Sequence, residues 1–142
     1  MQGNPSKYLR KAFFDVLNNI TVSGNQIPCF DERVTGATVK PYYILLSTQT
    51  KQQDKYTKCA DRWQVDILLD IVTTYTATGN TGSKSLAEDI EEQVINLEET
   101  IILSGGYKIN QRELVSSDSL VTIGTTSNVF RQLIRYQYYL TQ

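Results

Sequence analysis

The chain has 142 residues, the length of one ordinary domain and enough to bury a single core. Its 14 basic and 15 acidic side chains nearly cancel, which argues against a general affinity for nucleic acid or anionic membranes. No apolar run reaches the roughly 20 residues of a membrane span, and the N-terminus lacks the apolar stretch of a secretion signal. A soluble chain made in a cytoplasm is expected, folding as one domain over residues 1–142.

In chain order, "NPSKYLRKAFFDVLNNI" comes first and reads as a helix. Asn4 can cap it, and Pro5 suits the first turn, where its missing N–H goes unused. Leu9, Ala12, Phe13, Val16, Leu17 and Ile20 recur at helical spacing as one apolar stripe. A short extended segment, "QIPCFDERV", leads to "VKPYYILLSTQT". That second run is apolar on both alternating sets, as in a central strand covered on both faces. The polar, basic stretch "KQQDKYTKCA" follows, and its length approaches the roughly 12 residues beyond which loops tend to be functional or mobile.

"DRWQVDILLDIVTTY" alternates. Trp63, Val65, Ile67, Leu69 and Ile71 form an apolar row, with Arg62, Gln64, Asp66, Leu68 and Asp70 between them. Successive strand side chains point to opposite faces, so one face is dry and the other wet. After a Gly- and Thr-rich turn, Ser85 and Glu88 form a capping box opening a second helix with the stripe Leu86, Ile90, Val94, Leu97 and Ile101. Gly105 and Gly106 stop it, and two closing strands follow, joined by a turn near Gly124. This order predicts an α+β fold: a two-layer sandwich of a mostly antiparallel sheet, about four to five strands, with both helices on one face.

Catalytic constellations are not found. Without histidine there is no Ser-His-Asp or Cys-His arrangement. Two cysteines, Cys29 and Cys59, cannot by themselves build a zinc site. "TATGNTGSKS" lacks the spacing of a phosphate loop. Asp66 and Asp70, four positions apart on a strand, would stand about 13 Å apart. That is wider than the roughly 9.5 Å limit of a glycosidase pair. No enzyme, cofactor or metal is expected.

The last strand instead has the composition of a contact surface. In "FRQLIRYQYYLTQ" arginine and tyrosine occur together without an acid, and both are favoured in interface cores. Charge is segregated along the chain. Glu88, Asp89, Glu91, Glu92, Glu98 and Glu99 crowd the second helix, whereas Arg131 and Arg135 stand on the last strand. Lys51, Lys55 and Lys58 mark the long loop as basic. Unlike patches on one chain suit head-to-tail association, which can close a ring. Arg131, Arg135, Tyr136, Tyr139, Lys51, Lys55 and Lys58 are therefore candidate subunit or partner contacts. Asp66 and Asp70 are candidate channel-facing or interface acids, and the arginines are expected to take carboxylate partners from a neighbouring subunit.

In this order of features the chain resembles the tail terminator, or tail-completion, proteins of long-tailed bacteriophages. The elements that carry the likeness are "YLRKAFFDVLNNI", "IPCFDERV", the strand "KPYYILL", then "RWQVDILLDIV", the helix "SLAEDIEEQVINLEE" and two closing strands. Together they cover about residues 5–140. The resemblance implies a non-enzymatic virion protein forming a hexameric ring that caps the tail tube and joins it to the head. Its partners would be copies of itself, the tube protein and a head-closure or other neck protein. DNA would pass through without specific binding, and no membrane would be involved. The location implied is the tail-neck region of the virion, reached from the host cytoplasm during assembly. A neighbouring neck ring protein of similar fold and a small monomeric binding adaptor are the alternatives.

Overall fold

The computed structural model describes residues 4–31, 41–54, 62–76, 82–124 and 127–141, without the side chains at 54, 75, 76, 82 and 83. Helix α1 spans Pro5–Leu17, followed by β1 (Ile20–Val22), β2 (Asn25–Ile27), β3 (Cys29–Asp31), β4 (Tyr42–Asp54) and β5 (Arg62–Thr76). Helix α2 (Gly82–Glu98) and the long strands β6 (Lys108–Ile123) and β7 (Ser127–Thr141) complete the chain. The α+β architecture expected from the sequence is present.

Asn4 caps α1 as expected: its side chain accepts from the Ser6 N–H at 3.2 Å. The helix buries Leu9, Ala12, Phe13 and Leu17. Ile20, counted in its stripe, instead opens β1, because the backbone turns at Asn19 (φ 58°). Ser23 and Gly24 then both adopt positive φ between β1 and β2, as a two-residue hairpin turn requires. Ser85 does not cap α2. That helix starts at Gly82, so Ser85 lies within its first turns. Nor do the paired glycines stop it, since it ends at Glu98. Gly105 (φ 75°) serves another purpose: a Cβ there would stand 2.7 Å from the Tyr8 ring.

The main sheet has five strands in the order β3-β4-β5-β7-β6. β3 lies parallel to β4, and every other pairing in it is antiparallel. β7 thus inserts between β5 and β6, pairing along its whole length with β5 from Arg62↔Thr141 to Thr76↔Ser127. β4 runs to Asp54, so the start of the stretch read as a loop is strand.

One face of this sheet is covered by both helices. Val65, Ile67, Leu69 and Ile71 of β5 join Ile44 and Leu46 of β4 and Ile134, Tyr136, Tyr138 and Leu140 of β7. Leu9, Phe13 and Leu17 from α1 and Ala87, Ile90 and Val94 from α2 close over them in one cluster. The dry row read from alternation is this core layer. Trp63, at its end, is only partly buried, with Lys51 Nζ 5.9 Å from its ring centroid.

Candidate assembly surface

The opposite face of the sheet carries the wet set of β5 beside the odd-numbered residues of β7. Register sets Asp66 opposite Gln137, Leu68 opposite Arg135, Asp70 opposite Leu133 and Val72 opposite Arg131. The strands also bring Tyr43 of β4 next to Val72. This row of arginine, tyrosine, glutamine and leucine is the face that the core-forming helices leave open.

Arg131 does not wait for a neighbouring subunit. Its guanidinium donates from Nε to Asp70 Oδ2 at 3.1 Å and also from Nη2 to the same carboxylate. Asp70 is 3% exposed, so it is a buried, paired acid rather than a solvent-facing one, and the wet-face expectation for it is corrected. The pair also reaches Tyr43, whose hydroxyl is pushed up first by burial and then by the Asp70 charge.

Asp66 stands on the same open face, opposite Gln137. It is half-buried, its Oδ2 accepts from Thr50 Oγ1 at 3.1 Å, and its Oδ1 has no protein partner among the described residues. Arg135 is half-buried and makes no hydrogen bond or ion pair among the described residues. Tyr139 is also half-buried and donates its hydroxyl to Gln137 Oε1 at 3.2 Å.

Tyr136 belongs elsewhere. It is 2% exposed and packs its ring 5.9 Å from Phe13, on the helix-covered face. Even-numbered β7 residues point into the core, so Tyr136 is corrected from contact residue to core residue. Lys51 also lies toward the helix side, donating to Asn4 Oδ1 at 2.9 Å. Lys55 and Lys58 fall outside the described residues, as does Cys59.

Two features were missed from the sequence. The first is a polar link under α2. Glu98 is 5% exposed and accepts from the Tyr138 hydroxyl, while Arg112 Nη1 donates to the Glu98 carbonyl at 2.8 Å. That carbonyl also accepts from the Ile101 N–H at 3.2 Å, and a cation at a helix C-terminus complements the macrodipole, so Arg112 ties β6 to α2. The only sequence signal was an acid at the end of an apolar stripe.

The second is β6 itself, an edge strand exposed or half-exposed at every residue. Leu114, Val115, Leu120, Val121 and Ile123 on it are 44–81% exposed. Native chains usually shield such edges with charge, proline or bulges. β6 has register shifts in its first half and none between Ser116 and Ile123.

Among the described residues no group of His, Cys, Asp and Glu side chains is placed to hold a metal, and no helix is long and apolar enough to cross a membrane. Chemically the open face and the bare edge offer hydrogen bonding, charge pairing and apolar contact.

No protein-family model matches this chain, and no curated protein matches it. Among solved structures it is similar to a chain in the virion of a native gene transfer agent particle, with a TM-score of 0.67 at 12% identity. The alignment covers 96% of this chain and 99% of that one. At that identity the likeness establishes a shared fold across the full length of both.

Proposed function

We propose that the chain is a non-enzymatic structural protein of a phage-like virion, forming a ring that caps the tail tube and joins it to the head-neck complex. The observation that carries this reading is the end-to-end fold likeness to a virion chain, with 96% and 99% of the two chains aligned. It agrees with the resemblance to tail terminators carried by the order of elements in the sequence. The ring is a hexamer in this reading, with the tube protein on one side and a head-closure or other neck protein on the other.

The open sheet face supports a contact role. Arg135 and Tyr139 lie half-buried on it, as residues favoured in interface cores. Asp66 stands on the same face, its Oδ2 held by Thr50 and its Oδ1 buried without a protein partner among the described residues. DNA repulsion by wall acids, if this face borders a channel, would rest among the described residues on the exposed Glu113 and Asp118 together with the half-buried Asp66, because Arg131 offsets Asp70.

Production of particles lacking the chain tests the proposal. Filled heads and separate tails that fail to join are expected, and joining restored by adding the purified chain completes the result. Normally joined, infectious particles would overturn it. Heads that leak DNA while tails remain capped would instead assign the chain to a neighbouring neck ring.

A further inference from the structure

We propose that this chain pairs edge to edge with a second copy of itself, β6 of one copy lying antiparallel to the outer half of β4 in the next. This deepens the ring reading and rests on it for the closure of the assembly. Among the described residues the sheet has two unlike bare edges. β3 covers β4 only at Ile44, Leu45 and Leu46, so among the described residues no strand flanks residues 47–54 on the side away from β5. At the other end of the sheet, β6 pairs among the described residues with β7 alone.

Strand sense makes the two edges compatible. β4 is antiparallel to β5, β5 to β7 and β7 to β6, so β6 runs opposite to β4. Copies rotated about an axis along the strands would therefore meet in antiparallel pairing, the more stable kind. A contact between unlike edges is heterologous and propagates until it closes.

Surface chemistry points the same way. A long, exposed, apolar edge is a template for another strand, and β6 exposes Leu120, Val121 and Ile123 along its regular half. The outer half of β4 shows exposed Lys51 and no carboxylate between residues 47 and 53. β6 presents exposed Glu113 and Asp118, while its Arg112 is engaged by Glu98. Register places Glu113 and Asp118 on the open face with Gln137 and Leu133, and Lys51 on the helix side with Val65, so the joint rests on the apolar edge and the strand sense rather than on charge.

Proline scanning of the edge tests it. The Gly124 N–H donates to the Ser127 carbonyl at 3.0 Å, closing the β6–β7 hairpin. Alternation along an antiparallel ladder then turns the Val121 N–H outward, so Val121→Pro removes a donor the hairpin does not use. The mass of the purified full chain would be followed with concentration by sedimentation. The wild type should assemble, and Val121→Pro should stay monomeric with an unchanged far-UV spectrum. Val121→Lys serves the same purpose if the proline variant fails to fold. Added to wild type, the blocked variant should enter assemblies and shorten them, because its β4 edge remains intact.

A wild type monomeric up to its solubility limit would overturn the proposal, as would a Val121→Lys chain that assembles normally. Exclusion of the blocked variant from wild-type assemblies would also overturn it, since that outcome means β6 pairs with β6 in a closed dimer. No particle is needed for these measurements. Their failure removes the edge pairing while leaving the virion reading standing, and absence of the chain from particles does the reverse.

Discussion

Asp70 on β5 and Arg131 on β7 form an ion pair across the open sheet face, one step diagonal to the strand register. The carboxylate is almost fully buried, whereas the guanidinium is 43% exposed. The structure thus supplies within one chain the partner that the sequence assigned to a neighbour. Arg131→Ala should destabilise the fold by about 1–3 kcal/mol, because it strands a buried charged acceptor. Asp70→Leu combined with Arg131→Leu should recover most of that loss, as apolar replacement of both partners often does. Urea unfolding midpoints at constant slope measure both effects. An unchanged midpoint in Arg131→Ala would show that water satisfies Asp70 unaided.

Glu98 and Tyr138 give a pH prediction. Burial, then the hydrogen bond to Glu98 and its charge, raise the Tyr138 hydroxyl above its ordinary value of 10.0. Burial and the Glu98 charge raise Tyr136 as well. The folded state therefore keeps these protons when the unfolded chain has lost them. Stability from both tyrosines is fully present below about pH 10 and falls as pH rises beyond it. Tyr138→Phe should flatten that alkaline fall in denaturation midpoints. An equally steep fall in the variant would remove Tyr138 as a cause.

Cys29 is buried, and burial with the nearby Asp31 charge pushes its thiol up to about 12. Little thiolate exists at neutral pH, and the thiolate is the reacting species. In a Cys59→Ser background a thiol reagent should label the native protein no faster than it unfolds, and should label it promptly in denaturant. Rapid native labelling would place Cys29 at the surface.

The β5 alternation was legible because a long strand with one buried face writes its period directly into the sequence, and Ile67, Leu69 and Ile71 are buried as that row requires. α1 was legible for a similar reason, with a capping asparagine, a proline at the first turn and a clean stripe. Other features depend on contacts far apart in the chain. Burial of Asp70 needs an arginine 61 positions away. The exposure of β6 follows from strand order, since β7 takes the place beside β5. Nothing in the β6 sequence marks it as an edge. Tyr136 shows a narrower lesson: tyrosine beside arginine reads as an interface, yet the strand period alone sends it inward.

Arg135 now carries the charge test that Arg131 cannot. Arg135→Glu should leave the denaturation midpoint within about 0.5 kcal/mol of wild type, as half-exposed substitutions outside networks usually do. In particles it should weaken assembly, because a reversed charge at a subunit or partner contact costs several kcal/mol by like-charge juxtaposition, on the order of 2–5. Normal assembly of Arg135→Glu particles would remove this face from the contacts.

The central claim is that copies of this chain form a ring at the end of a tail tube, and a three-dimensional reconstruction of the intact particle tests it most directly. The account predicts a closed ring of this fold between tube and neck, with β6 of each copy beside β4 of the next. A particle without the chain, or one holding it as isolated single copies, would contradict the account.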